Sequence, residues 1–349
     1  MMITTITGNK DFLENLKGKS ATFLLAMSNT KTANIEGITQ AGIPGLIHLT
    51  PTLDAEFLCT GKVKSLDNIA ETPKGVPTPA LITRAVHLLK PFKEIELLDL
   101  GLEKIPQVEA QIYGFKIPVS DRIDQHAKID ASAVFSAGKN FGENYEAKSD
   151  YIILAESTPS GTTTALATAL ALGYDCEEKF SSSFKNNPSN IKKEVIQKAL
   201  SHIHPSDTIL EKVSKVSDNM LIFNAGFLLG ASSKNTPIIL AGGTQMAAVL
   251  LLLNALTPNF DSKNIALWTT KWIYHDSHSD IKALLEMLDF PIHAFSSEFD
   301  FSLSHHPALK LYDEGEAKEG VGAGAALVYG MLNGLTQEEI TKKVESFLG

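Results

Sequence analysis

Short apolar runs, each ending in small or polar residues, set the rhythm of the chain. Residues 21–27 (ATFLLAM) lead into SNTKT, 95–100 (IELLDL) into Gly101, and 151–155 (YIILA) into ESTPSGTTT. Residues 237–240 (PIIL) lead into AGGTQ, and 265–268 (IALW) into TTK. Strands covered on both faces read as continuous apolar runs rather than as alternations. Strand, polar turn and helix in repetition predict the α/β class, with a doubly wound, Rossmann-like parallel sheet.

The intervening patterns are helical. Residues 163–173 (TTALATALALG) are rich in Ala and Leu and stop at a glycine, a common C-terminal signal. Residues 190–202 form an amphipathic candidate with Ile191, Val195, Ile196 and Leu200 on one side, and 280–288 is another. The run Lys185, Lys192, Lys193 and Lys198 reads as a solvated face. Residues 336–348 begin with Thr336 and Glu339 in capping-box spacing. Residues 20–330 are expected to form one large α/β domain, and 1–19 with 331–349 a small helical appendage.

Composition narrows the classes. Of 349 residues 44% are hydrophobic, enough for a sizeable core. Lys and Arg number 31 against 40 Asp and Glu, so the net charge is −9, which disfavours nucleic acid and anionic membranes as partners. Cys59 and Cys176 are too few for a disulfide framework or a cysteine zinc site. The first residues lack an apolar signal-peptide core, and the run 238–253 is broken by GGTQ, short of a membrane span. A cytoplasmic location is the expectation. The histidine pairs 202/204, 275/278 and 305/306 lack zinc-site spacing, so neither metal nor other cofactor is expected.

In an open parallel sheet, ligands bind beyond the carboxyl ends of the strands. The turns there are rich in Ser, Thr and Gly, which hold phosphate through hydroxyls and backbone N–H groups. Glu319-Gly320-Val321-Gly322-Ala323 sets a carboxylate before small residues that open a helix. It superficially matches a dinucleotide fingerprint but lacks the preceding strand and the βαβ unit. Ligand binding and close packing of a Gly/Ala-rich helix both remain open readings of it. Glu156-Ser157-Thr158-Pro159-Ser160-Gly161-Thr162-Thr163-Thr164 offers a carboxylate and six hydroxyls directly after a strand, or simply a helix cap. Ser28-Asn29-Thr30 reads as a turn, and Gly75-Val76-Pro77-Thr78-Pro79 as a rigid helix start. No Walker A or GxSxG sequence is present, and with the dinucleotide fingerprint incomplete this weighs against a dehydrogenase or a sugar kinase.

The segments SNTKTANIEGITQAG, TPTLDAEFLCTGK, GVPTPALITRA and KEGVGAGAA together resemble the nicotinate-nucleotide–dimethylbenzimidazole phosphoribosyltransferase family, in its divergent archaeal and cyanobacterial branch. The resemblance spans about residues 21–334. It implies a doubly wound large domain, a small helical domain from both chain ends, and a homodimer whose partner helps to close each site. The family's catalytic glutamate matches Glu319 in Glu319-Gly320-Val321-Gly322-Ala323. Its second glutamate resembles Glu156, with Thr162 and Thr163 as the following threonine pair and Thr158 and Gly161 replacing a glycine and an asparagine. Lys192, with Lys193 as the alternative, resembles the lysine that pairs with this second glutamate. Thr78-Pro79 resembles the base-lining Ser-Pro, while the base-lining glutamine falls near Val86.

The resemblance implies transfer of the 5-phosphoribosyl group of nicotinate mononucleotide to a benzimidazole or purine base, giving an α-ribosyl nucleotide and nicotinate for cobamide synthesis. Glu319 would be the general base. Ser157, Ser160, Gly161, Thr162, Thr163 and the Gly320–Ala323 amides would hold the nucleotide. The alternative is a nucleotide-binding homologue without catalysis.

Overall fold

The computed structural model describes residues 2–66, 69 and 71–348. Its strands are β1 (Ile3–Thr7), β2 (Ala21–Met27), β3 (Glu94–Asp99), β4 (Gln111–Gly114), β5 (Tyr151–Ser157), β6 (Ile238–Ala241), β7 (Ile265–Thr270) and β8 (His293–Ser297). They form one sheet in the order β1-β8-β7-β6-β5-β2-β3-β4. All neighbouring pairs are parallel except β1 with β8. The α/β class and the five sequence-predicted strands are present. The sheet is nonetheless mixed, because the N-terminal segment adds an antiparallel edge strand where only a helical appendage was expected.

In chain order the helices are α1 (Asp11–Glu14), α2 (Thr50–Thr60), α3 (Ala80–Leu89), α4 (Ala131–Asn144), α5 (Gly161–Ala171), α6 (Ser189–Leu200) and α7 (Ile209–Val216). There follow α8 (Asn219–Ala231), α9 (Thr244–Leu256), α10 (Lys271–Tyr274), α11 (Ile281–Leu285), α12 (Pro307–Asp313), α13 (Ala323–Leu332) and α14 (Gln337–Glu345). Among the described residues no helix is long and apolar enough to cross a membrane.

Strand alternation divides the interior into two cores. Phe23, Leu25, Ile153 and Ala155 face α2, α3 and α13. Leu24, Ala26, Ile152 and Leu154 face α4, α5, α8 and α9. On the second face α4 and α8 meet backbone to backbone. A Cβ on Gly138 would overlap Phe223 O, and one on Gly142 would overlap Phe227 O. Reciprocally, Gly226 abuts Phe135 O and Gly230 abuts Lys139 O. Only glycine allows helices to approach so closely.

Two expectations about α6 are corrected. Ile191 is exposed, and Lys192 is 3% exposed rather than on a solvated face. The helix presents Lys192, Val195, Ile196 and Ala199 inward, so its buried stripe begins with the lysine. Thr336 and Glu339 form the expected capping box at α14, which packs against α3.

The chain moves outward from β2 to β3 and β4, then returns to the other side of β2 for β5. The direction of winding therefore reverses between β2 and β5, where crossovers diverge and leave a crevice.

Candidate active site

The crevice is a cavity with about 890 Å³ of empty space, including its open mouth. Its wall draws on the end of β5, the turn after β6, the first turns of α5 and α9, helix α2, the residues before α3, and loops at 39–42, 181–183 and 317–321. Of the residues chosen from the sequence, Thr78, Glu156, Ser157, Ser160, Gly161, Thr162, Glu319, Gly320 and Val321 converge there. Thr163, Lys192, Gly322 and Ala323 do not line it.

Glu156 and Ser157 are consecutive, so they point to opposite faces of the sheet. Glu156 turns toward α9: Gln245 Nε2 lies 3.4 Å from its Oε1, and the Thr158 amide donates to its Oε2 at 3.0 Å. Ser157 turns toward α2, where its hydroxyl donates to Asp54 Oδ2 at 2.7 Å. Burial, reinforced by Glu319, Asp218 and Asp54, pushes the Glu156 carboxyl up to about 8.

Glu319 lies at the mouth of α13. Its Oε1 accepts the amides of Gly320 at 3.2 Å and Gly324 at 3.1 Å. Its Oε2 accepts the Thr270 amide at 3.1 Å and the Thr269 hydroxyl at 3.4 Å. Burial raises its carboxyl to about 7 despite those four donors.

The same geometry changes the expected role of the glycine strap. The Gly320 amide is spent on Glu319, the Val321 amide on Glu156 O, and the Ala323 amide on Gly320 O. These amides are engaged within the chain rather than open to a phosphate. Gly322 packs instead: a Cβ there would lie 2.8 Å from Ala155 Cβ. Val321 holds φ at +50°, a conformation that β-branched residues avoid, and strain of this kind gathers at functional sites.

The phosphate-sized opportunity lies at α5. Ser160, its N-cap, has φ +66° and makes no side-chain cap bond. The hydroxyls of Ser160 and Thr163 are buried with no hydrogen-bond partner among the described residues. Of the leading amides of α5, Gly161 N donates to Thr158 O and Thr163 N to Ser160 O, which leaves, among the described residues, the Thr162 amide and the Ser160 hydroxyl to face an anion. Gly161 lets this turn approach α9, since a Cβ would overlap Gln245 Oε1.

Lys192 stands behind this turn. Its ammonium donates to Thr162 Oγ1 at 3.1 Å and Ser181 O at 3.2 Å; Glu156, its expected partner, is not among its contacts. Burial, then the neighbouring Lys318, lowers it to about 7. The alternative Lys193 is exposed, 3.9 Å from Glu177. Val86 is buried in the core behind the cavity.

Three residues in or beside the cavity escaped the motif reading. Asp54 accepts Thr78 Oγ1 as well as Ser157, and burial lifts it to about 6. Gln245 bridges α9 to Glu156. Lys318 forms a buried ion pair with Asp276 at 3.0 Å and donates to Phe184 O at 3.0 Å, tying the strap to the 181–184 loop. A charged residue inside the apolar TPTLDAEF helix was the available signal for Asp54. The histidines 275 and 278 sit beside Glu298 and Asp276, at 3.2 and 3.6 Å.

Residues 124–266 match the phosphoribosyltransferase family model DBI_PRT. The UPF0284 protein of Sulfurisphaera tokodaii is 38% identical over 99% of this chain and 97% of its own length. That of Sulfolobus acidocaldarius is 36% identical over 96% of this chain and 98% of its own. Two structures from Thermus thermophilus share the fold. One is of nicotinate-nucleotide–dimethylbenzimidazole phosphoribosyltransferase, with a TM-score of 0.62 and 18% identity over 94% of this chain and 83% of that one. The other is of CobT, with a TM-score of 0.61 and 17% identity over 94% and 84%. At whole-chain identities of this order the chain belongs to the family of the UPF0284 proteins.

Proposed function

We propose that the protein moves the 5-phosphoribosyl group of nicotinate mononucleotide to a free nitrogenous base such as dimethylbenzimidazole or adenine. The products are an α-ribosyl nucleotide, as used in cobamide synthesis, and nicotinate. The observation that carries this reading is the convergence of buried Glu156 and half-buried Glu319 on one cavity at the winding reversal, beside a hydroxyl-rich helix start.

Nicotinate is cationic when bonded to ribose through its ring nitrogen. As the C1′–N bond breaks, its electron pair returns to that ring and neutralises it. The base nitrogen attacks C1′ from the opposite face, which inverts the β-linkage. Glu319 takes the N–H proton of the base, a role typically contributing about 10²–10⁴-fold. The cationic donor, lying beside Glu156, favours the ionised form of that carboxyl, which in turn stabilises the donor and the positive charge that grows on the sugar. Ser160, Gly161 and Thr162 hold the 5′-phosphate, Thr163 backs that turn, and Lys192 positions Thr162. Ser157 and Thr78 flank the base, and Gly320 and Val321 back the ribose. Gly322 and Ala323 let α13 pack so that Glu319 reaches the cavity. Residues 20–330 carry this chemistry. Residues 1–19 and 331–349 are assigned a supporting role, and a cytoplasmic homodimer is the proposed assembly.

A second reading, a nucleotide-binding homologue without turnover, draws on the four donors that hold Glu319, since hydrogen bonds to a carboxylate weaken it as a base. Liquid chromatography with mass detection separates the two. Purified protein receives nicotinate mononucleotide with dimethylbenzimidazole, benzimidazole, adenine or a phenol. Nicotinate release with a new ribosyl phosphate supports transfer. Calorimetric binding of the mononucleotide without product supports the second reading.

A further inference from the structure

Asp54 sits on α2, 3% exposed, in the wall of the cavity. Thr78 Oγ1 donates to its Oδ1 and Ser157 Oγ to its Oδ2, both at 2.7 Å. These two hydroxyls, and no cationic side chain, are what offset its burial among the described residues. At neutral pH it lies above its raised carboxyl value of about 6 and is ionised.

An ionised carboxylate only accepts hydrogen bonds, and a hydroxyl has a single proton to give. Both hydroxyl protons are therefore committed to Asp54. What remains of Thr78, Ser157 and Asp54 on the cavity side is lone pairs. Thr78 Oγ1 also accepts the Ala80 amide at 3.2 Å, which leaves it one further acceptor position. This acceptor wall adjoins the Glu319 strap: a Cβ on Gly320 would lie 3.5 Å from Pro79 Cγ, one residue from Thr78. A ligand whose ring N–H faces Glu319 thus sets its far edge against a surface that can only accept.

We propose that Asp54 is a positioning residue that fixes Thr78 and Ser157 as hydrogen-bond acceptors, so that the cavity selects bases carrying a second N–H donor. An aminopurine such as adenine has that donor in its exocyclic amine. Dimethylbenzimidazole presents methyl groups at its outer edge, which leave the acceptors dry and unpaired. A buried polar group left without a partner loses its full solvation, so sites of this kind reject analogues that lack the donor. The proposal rests on the base-accepting reading of the cavity given above.

The test compares adenine with dimethylbenzimidazole at pH 7.5, as kcat/KM and as equilibrium binding to protein saturated with nicotinate mononucleotide. The wild type is expected to favour adenine by about tenfold or more, the scale of one hydrogen bond to a charged or polarised acceptor. In Asp54→Asn the amide donates, so one hydroxyl turns its proton into the cavity and the preference narrows or inverts. The KM for nicotinate mononucleotide stays near its wild-type value. A purely structural role for Asp54 would weaken both bases in parallel. Ser157→Ala removes one acceptor and narrows the preference even if the Asn variant fails to fold. A wild-type preference for dimethylbenzimidazole, or an adenine preference unchanged in both variants, overturns the proposal. If no base is turned over, the transfer reading falls. Selective binding of adenine would still uphold the acceptor wall, and equal or absent binding of the two bases would remove it.

Discussion

The carbonyl of Glu156 accepts the amide of Val321 at 2.9 Å, so the end of β5 is stitched to the strap that carries Glu319. Thr83 on α3 holds the same strap from the other side, donating to Val321 O at 2.7 Å. The two glutamates therefore move as one unit, although 163 positions of the sequence separate them.

Glu319→Gln removes the proton acceptor at nearly constant volume, although its NH2 then faces two of the four donors that held the carboxylate. Nicotinate mononucleotide should bind as before, and kcat should fall by about 10²–10⁴-fold. Calorimetry and steady-state kinetics on one preparation check both halves. Undiminished turnover would take Glu319 out of the mechanism.

Acidity should appear in the stability of the ligand-free protein. Glu156 rises from an ordinary 4.5 to about 8, Glu319 from 4.5 to about 7, and Asp54 and Asp218 from 3.8 to about 6. Each folded-state value lies above the unfolded one, so the folded chain holds more protons across these windows. Their contribution is complete below about pH 4 and is lost as pH climbs through 6, 7 and 8. Lys192 opposes them from about pH 7 upward: lowered from 10.5 to about 7, it restores stability between those values, where the unfolded chain still holds its proton and the folded chain does not. Tm should therefore fall from pH 5 to pH 7, level off towards pH 8 where Glu156 and Lys192 oppose each other, and fall less steeply in Glu156→Gln. Parallel curves for the two proteins would contradict the burial argument.

Two glycine substitutions should separate function from stability. In Gly161→Ala the new Cβ meets the flexible end of Gln245, which can swing aside. Stability should stay within about 1 kcal/mol, while Glu156 loses its Gln245 contact and the KM for the donor rises. In Gly324→Ala the obstacle is the backbone of Thr269 and Thr270, which cannot yield. A loss of about 1–3 kcal/mol in urea unfolding is expected, with activity lost as well.

The Lys318–Asp276 pair is buried on both sides, in contrast to the exposed Lys185–Glu314 pair. Removing one partner of a buried pair strands a charge and costs about 3–5 kcal/mol. Exposed pairs contribute about 0–1 kcal/mol. Asp276→Ala should therefore destabilise far more than Glu314→Ala in chemical denaturation, and similar losses would refute the distinction.

The central strands were legible because burial on both faces leaves an unbroken apolar run, as in ATFLLAM and YIILA. β1, β4 and β8 were not. ITTIT and HAFSS mix polar residues into short strands near an edge, and QIYG is an edge strand of only four residues. Helix α8, NMLIFNAGFLLGA, is apolar all round and carries no periodic face to detect. Within the site, Glu156 and Glu319 stood out because each precedes a run of small residues. Asp54 did not, because its importance lies in Thr78 and Ser157, 24 and 103 positions away. Lys192 was misplaced because a lysine in a lysine-rich helix reads as solvated until α5 and the 181–183 loop cover it.

The glycines shared by α4 and α8 bear on how this protein can change over time. Because the two backbones key directly into one another, α4 is held in place without help from its outer face, where Ser132, Ala133, Lys139, Asn140, Glu143 and Asn144 are exposed. That face can take new charges or new neighbours while the sheet and cavity beneath keep their geometry. The four glycines enjoy no such latitude, since a side chain on any one presses on the opposite main chain. A lineage of such proteins should therefore drift freely on the outside of α4 and hardly at all along its seam.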